Sequence, residues 1–293
     1  MDNKRFAYNR LQNVEIEISS LCNRHCIYCP RRDVKRDRAL FPMDTFKKIM
    51  YELKEIDYDG AVAFHQYNEP LLEYDYLCEC INAAKEINPK VRLELYTNGD
   101  LLTDKKFKTL KKLGINRMVV TCHLEDGEIW NRESARKKVK KVMNKIHIRR
   151  KLVEDGNSVF VKQSEIRSFI YKLKEFGYHK IKNYPFTLEI RSIDYSSSGS
   201  NRAGTVDCSH NTVEGNNSLC YYCYSLEHGI HISYKGNVFM CCDCCDDVEE
   251  VMKYKIGSVY EEKIYDIFAK KYEIFNSYVN NKLEVCNNCY WNQ

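Results

Sequence analysis

Proline, glycine and long apolar runs are all scarce in this chain of 293 residues, which has 5 prolines and 12 glycines. No stretch reaches the roughly 18 apolar residues that a membrane-crossing helix needs, so nothing is expected to span a bilayer. The N-terminus, MDNKRFAYNRLQNVEIEIS, lacks the apolar core and cleavage site of a secretory signal, and a cytoplasmic location is expected. A strong charge of one sign is missing too. The net charge of +5 by itself supports neither a nucleic-acid nor a membrane partner. Cysteine, by contrast, is abundant, with 15 residues. Thiols stay free in a reducing compartment, so metal binding is a better reading than a disulfide framework. The apolar fraction of 44% is enough for a sizeable core.

Extended and helical patterns alternate along the first two thirds. NVEIEIS (13–19) alternates at period two, as a strand does. MDTFKKIMYELKEI (43–56) places Phe46, Ile49, Met50, Leu53 and Ile56 at helical spacing, with Asp44 as the expected N-cap. GAVAFHQY (60–67) reads as a strand and YDYLCECINAAKEI (74–87) as a helix. VRLELYTNG (91–99), TDKKFKTLKKLG (103–114) and NRMVVTCHL (116–124) continue as strand, helix and strand. A basic helix, a strand near 146–153, a helix near 164–176 and a last strand in FTLEIRSIDYS (186–196) follow. This order predicts an α/β fold with a parallel sheet, either a barrel or an open doubly wound sheet. The cysteine-rich remainder differs in character, which puts a domain boundary near 205.

The first cysteines follow the first strand directly. In SSLCNRHCIYCP (19–30), Cys22, Cys26 and Cys29 lie on the loop where α/β architectures carry their active sites. Three thiolates on a four-iron cluster leave one iron without a protein ligand, and an open position marks a reactive metal site. On spacing alone, a zinc knuckle completed by His25, or buried cysteines without metal, stay open.

The Cys22-x3-Cys26-x2-Cys29 spacing, with Tyr28 before the last cysteine, resembles the signature of radical SAM enzymes. YNEPLL (67–72) and YTNGDLLT (96–103) resemble that family's segments after the second and third strands. The resemblance implies a partial (β/α)6 TIM-like barrel over 1–205 and a 4Fe-4S cluster on the three cysteines. It further implies that S-adenosylmethionine is bound on the open iron and cleaved to a 5′-deoxyadenosyl radical. By the same resemblance, Asn68 and Glu69 lie near the methionyl amino group, the backbone around Tyr28 faces adenine, and Thr97 and Asn98 belong to the cofactor site. Tyr67 and Asn68 stand where the family has two glycines.

LCYYC (219–223), CCDCC (241–245) and CNNCYW (286–291) crowd the C-terminal region. HGIHISYKGNVFMCC between the first two reads as a β-hairpin around Lys-Gly-Asn. The order Cys223-x12-Gly236-x4-Cys241, then Cys286-x2-Cys289, resembles a shortened SPASM module of the Twitch type. That resemblance makes 206–293 a small α+β domain whose Cys223, Cys241, Cys286 and Cys289 hold a second 4Fe-4S cluster. Cys220 can replace Cys223, and Cys242, Cys244 or Cys245 can replace Cys241. Cys208 has no assigned role. A zinc ribbon is the alternative on thiol chemistry alone.

Four thiolates on four irons leave no open position, which suits electron transfer. The domain order resembles that of Twitch-type dehydrogenases, implying oxidation of a sugar, aminocyclitol or related alcohol or amine. A flavodoxin or ferredoxin is then the expected reductant. Arg202 in SNRAG is expected to orient a substrate oxygen or assist proton removal, and Asp243 is a candidate proton acceptor. His65 and Tyr67 are expected at the pocket wall. The peptide-modifying alternative, cross-linking or epimerising a ribosomal peptide, is weakened because only 21 residues precede Cys22. A non-catalytic metal-binding protein is the third reading. RESARKKVKKVMNKIHIRRK (132–151) carries ten Lys/Arg against one Glu. It could attract a phosphorylated substrate or nucleic acid, but without interleaved aromatic residues it reads as a solvated helix face.

Overall fold

The computed structural model describes residues 7–125, 128–155, 158–163, 186–194 and 223–277, together with Cys286. The domain boundary near 205, the helix expected at 164–176 and Cys208, Cys220, Arg202 and Cys289 lie outside the described residues. Among the described residues, no helix is long and apolar enough to cross a membrane.

Strands and helices alternate as their periodicities require. β1 (Asn13–Ile16), β2 (Ala61–Phe64), β3 (Arg92–Thr97) and β4 (Ile115–Thr121) pair in parallel in chain order. α1 (Met43–Glu55), α2 (Tyr74–Ile87) and α3 (Asp104–Leu113) connect them. Asp44 is not the N-cap of α1. Pro42 holds that place, and Asp44 sits in the first turn, where its carboxylate meets the positive end of the helix dipole. Thr103 caps α3 by accepting the Lys106 N–H at 3.2 Å. Asn131 caps the basic helix α4 (Arg132–Lys145) through the Ser134 N–H at 2.9 Å.

Beyond α4 the parallel pattern breaks. β5 (Val153–Asp155) and β6 (Ser158–Gln163) form an antiparallel ribbon, and β6 runs antiparallel to β7 (Thr187–Ile193). The strand expected near 146–153 therefore begins later, and β6 is an element the sequence reading missed. β7 returns beside β4 in parallel.

The C-terminal hairpin belongs to the same sheet. α5 (Tyr224–His228) leads into β8 (Gly229–Ile232), which pairs in parallel with β1, setting Glu15 opposite His231. β9 (Asn237–Phe239) and β10 (Lys255–Ser258) extend that edge antiparallel, and α6 (Ile264–Ser277) follows. Gly236 makes the hairpin turn at φ 80°, and a Cβ there would meet the Tyr260 ring at 2.4 Å. The sheet order is β10-β9-β8-β1-β2-β3-β4-β7-β6-β5, with six consecutive parallel strands from β8 to β7.

The two faces of that parallel stretch differ in chemistry. Val14, Ile16, Val62, Phe64, Leu93, Leu95, Leu188, Ile190, Ile230 and Ile232 are buried in the continuous core shared with the helices. Between them in sequence come Glu15, Glu94, Tyr96, Glu189, Arg191 and His231. Parallel strands covered on both faces usually read as unbroken apolar runs. β1, β3 and β7 alternate instead, because their second face lines a polar interior.

Candidate metal centre and cofactor cavity

A cavity of about 310 Å³ opens at the C-terminal ends of the parallel strands. Cys22, Cys26 and Cys29 line it from the loop after β1, and each is half-buried. Burial pushes the Cys22 thiol up to about 11, so its thiolate is costly in the bare loop and a bound cation would offset that cost. Three sulfur donors gathered on one cavity wall suit a thiophilic metal centre. Arg24 clamps the loop. It bonds Asp100 at 2.6 and 2.8 Å and donates to the Leu124 carbonyl at 3.0 Å. Arg31 ties the loop to itself through the Arg24 carbonyl at 3.0 Å.

The segments after β2 and β3 face this loop. Glu69 is buried and held by the Thr97 hydroxyl at 2.7 Å and the N–H groups of Asn98 at 2.7 Å and Leu71 at 3.0 Å. Burial outweighs those donors and lifts its carboxyl to about 7. An ammonium group arriving in the cavity would relieve that cost, which fits the amino end of an amino-acid cofactor. Asn68 contacts the Ser19 hydroxyl at 3.3 Å. Asn98 bonds Asn23 at 2.8 Å, and its amide nitrogen lies 4.0 Å from Cys22 Sγ. Gly99 follows at φ 78°, where a Cβ would strike Val120 at 2.5 Å. The Tyr28 hydroxyl bonds His123 Nδ1 from the loop after β4. All five cofactor residues expected from sequence therefore line one cavity with the three cysteines.

The C-terminal cysteines converge beside it. Cys223, Cys241, Cys242, Cys244 and Cys286 share one apolar cluster with Leu226, Phe239 and Met240. The sulfurs of Cys241 and Cys242 and a carboxylate oxygen of Asp243 lie within 4.8 Å of one another. Cys242 lines the first cavity, whereas Asp243 is buried at the cysteine cluster. Cys245 stands apart, accepting from Arg36 at 3.2 Å. Lys271 is fully buried against the Ser225 and Gly229 carbonyls at 2.9 and 2.7 Å. Burial lowers its amine to about 8, although Cys241, Cys242 and Cys223 pull the other way. The donor set, all sulfur with a buried cation beside it, fits a thiolate-ligated anionic cluster.

His65 and Tyr67 line the cavity as the sequence predicts, but sequence reasoning missed the rest of the wall between the two cysteine sets. Glu15 accepts from Asn13 at 2.8 Å and pairs with His231 Nδ1 at 2.8 Å, while His231 Nε2 meets the Ser225 hydroxyl at 2.8 Å. Burial alone would raise the Glu15 carboxyl, but His231 and His65 outweigh it and bring it down to about 2. Tyr96, Thr121 and Arg191 complete the wall, and Arg191 is fixed by Glu189 at 3.2 Å and Thr121 at 3.3 Å. The available signal was the polar alternation in NVEIEIS, RLELYT and TLEIRSI.

Across the Arg24–Asn98 partition lies a second recess of about 270 Å³, where Lys138, Lys141 and Lys145 of α4 face inward. Several α4 charges are spent locally, Lys137 on Glu133 at 2.7 Å and Lys138 on Glu128 at 3.0 Å.

Comparison with known proteins agrees with this arrangement. A family model described as the radical SAM superfamily matches residues 16–161, and one described as an iron–sulfur cluster-binding domain, SPASM, matches 213–290. The S-adenosyl-L-methionine-dependent 2-deoxy-scyllo-inosamine dehydrogenase of Niallia circulans is 41% identical over 112 residues. That match covers 38% of this chain and 44% of the dehydrogenase. A probable GTP 3′,8-cyclase of Methanocaldococcus jannaschii is 30% identical over 142 residues, covering 46% of this chain and 44% of the cyclase. The chain thus spans less than half the length of these relatives. Among solved structures, BtrN in complex with AdoMet and 2-DOIA superposes with a TM-score of 0.63 at 24% identity, over 95% of this chain and 92% of BtrN. That likeness establishes the shared fold.

Proposed function

This chain belongs to the radical SAM superfamily and carries a SPASM iron–sulfur domain, and on that premise we propose that it dehydrogenates a polar small molecule, a sugar or aminocyclitol alcohol. Cys22, Cys26 and Cys29 hold the first 4Fe-4S cluster, and Cys223, Cys241, Cys286 and Cys289 hold the second. When bound, these groups and S-adenosylmethionine supply a 5′-deoxyadenosyl radical that removes one hydrogen atom and a cluster that takes one electron. Glu69 binds the methionyl ammonium, with Thr97 and Asn98 fixing its carboxylate, and the backbone at Tyr28 receives adenine. Arg191 and Tyr96 present polar groups to the substrate. Arg202 and Asp243 stay as proposals for substrate orientation and proton handling. An acidic one-electron carrier, a flavodoxin or ferredoxin, is the proposed reductant.

One observation carries this reading. Cys242, next to a proposed ligand of the second cluster, lines the same cavity as the three cysteines of the first. Both cysteine sets therefore adjoin one space whose remaining wall is polar. A radical left on a substrate carbon there has an electron acceptor at hand, as a two-electron oxidation requires. The 2-deoxy-scyllo-inosamine dehydrogenase among the relatives supports an aminocyclitol over a peptide.

The test is an anaerobic single-turnover assay of the reconstituted protein with dithionite, S-adenosylmethionine and 2-deoxy-scyllo-inosamine or related polyols. The expected result is one ketone per 5′-deoxyadenosine. Deoxyadenosine formation without any ketone, or with modification of a cysteine-containing peptide instead, would overturn the assignment.

A further inference from the structure

An alcohol oxidised in the cavity must also lose its hydroxyl proton, and the wall offers few groups able to take it. Glu69 is held by three donors and its remaining acceptor capacity is taken by the methionyl ammonium in the reading above. His123 is bonded by Tyr28, and Arg24 and Arg191 are permanently cationic. Glu15 is too acidic to serve as a base near neutrality, and Asp243 is buried at the second cysteine cluster, off this wall, where it could take a proton only after the first transfer. His65 is the exception. It lies at the end of β2 on the cavity wall, and among the described residues no hydrogen bond holds either ring nitrogen.

The ring is nonetheless positioned. It stacks on Tyr96 with centroids 4.1 Å apart at 31°. Its Nε2 faces Glu15 Oε1 at 3.8 Å, too far for a hydrogen bond but close enough for charge stabilisation. Glu15 is itself anchored through His231 to Ser225. A carboxylate held rigid beside an unspent imidazole is the arrangement that lets histidine accept a proton and carry the resulting charge.

We propose that His65 is the catalytic base that takes the substrate hydroxyl proton, and that Glu15, fixed by His231 and Ser225, is the positioning residue that stabilises the imidazolium. The inference rests on the dehydrogenase reading above. With the cofactors bound, the carbinol hydrogen would leave as an atom to the radical they supply, and one electron of the carbon radical would pass to the cluster held by the second cysteine set. As His65 Nδ1 takes the hydroxyl proton, the O–H pair becomes the second C–O bond of the ketone. His65 is later discharged to water. Burial lowers the His65 imidazole; of the charged groups facing it, Glu15 from β1 and Glu94 from β3 offset part of that, while His231 from β8 and Arg191 from β7 add to it.

The test compares wild type with His65→Phe, His65→Gln and Glu15→Gln, each checked for iron content and thermal unfolding. The aminocyclitol of the preceding assay is used, deuterated at the carbinol carbon. Wild type is expected to show ketone formation that falls as pH drops, with its acid limb below the ordinary imidazole range because burial lowers His65. His65→Phe, which keeps the stack on Tyr96, is expected to lose ketone about 100-fold and to raise the ratio of deuterated 5′-deoxyadenosine to ketone. Glu15→Gln removes the charge that favours imidazolium, so its acid limb moves to lower pH. The ¹⁵N-histidine spectrum of the unloaded chain is expected to show the same downward shift for His65. Equal ketone yield and an unchanged pH limb in both His65 variants would overturn the base while leaving the dehydrogenase standing. Absence of ketone in wild type would remove the dehydrogenase reading and the base together.

Discussion

Glu69 shows how a single residue records the group it is meant to meet. Three hydrogen bonds aim both of its oxygens, yet burial still leaves the carboxyl near 7. Glu69→Gln keeps the shape and removes the charge. S-adenosylmethionine affinity is expected to fall roughly 10- to 100-fold, the range for a charge-assisted hydrogen bond, as read by anaerobic calorimetry. Unchanged affinity would place the ammonium elsewhere. Glu15 behaves in the opposite sense. Its folded-state carboxyl lies at about 2 against an ordinary 4.5, so its stabilising contribution is complete above about 4.5 and is lost as pH falls towards 2. Urea midpoints of wild type and Glu15→Gln are expected to differ at pH 6 and converge towards pH 3. A constant gap would refute the pairing. The partners of these residues were only partly legible in sequence. Glu69 came with its motif, but Glu15 and His231 are 216 positions apart and only the fold brings them together.

At the level of elements, local rules read well where the signal was local. The capped α3 is an example: Thr103 starts it and Gly114, at φ 106°, ends it. Thr103→Ala is expected to cost about 1 kcal/mol of unfolding free energy, measurable in denaturant. A loss below roughly 0.3 kcal/mol would mean that the cap is not felt. Asp44 failed as a cap because Pro42 already supplies an extended residue at that place, with backbone φ −60° and ψ 129°. β6 escaped because it pairs with a later strand in the opposite direction, breaking the strand–helix rhythm that guided the reading. The cysteine loops were legible from spacing. Which of two adjacent cysteines, Cys241 or Cys242, turns towards the cavity depends on the backbone path after β9 and has no sequence signature.

Across the whole molecule, Arg36 joins the two cysteine regions. Its guanidinium is fully buried, bonded to Glu17 at 2.6 Å, paired with Asp247 at 2.6 Å and stacked over Tyr234 at 4.9 Å. Arg36→Met leaves the buried Glu17 without a cation, while Asp247 keeps Lys235 at 2.7 Å, and is expected to cost about 3–5 kcal/mol, read by urea unfolding without oxygen. A loss under 1 kcal/mol would show that the two regions hold together by other means. Cluster removal provides the complementary measurement. Cys286→Ala is expected to lower iron from roughly eight to roughly four per chain, while the Cys22/Cys26/Cys29→Ala variant loses the other four. Full iron in Cys286→Ala would assign the second ligand set to different thiols.

The parallel pairing of β8 with β1 has one more consequence. β1 is interior only because β8 covers its outer side. A variant cut before residue 223 would bare the backbone donors and acceptors of β1 along a strand that carries Val14 and Ile16 of the core, and such an edge recruits other chains. Deleting the second cysteine region would therefore yield precipitate whether or not its cluster matters to chemistry. The SPASM segment serves as a selvedge for the sheet, and its redox role can be isolated only by point substitution at the thiols.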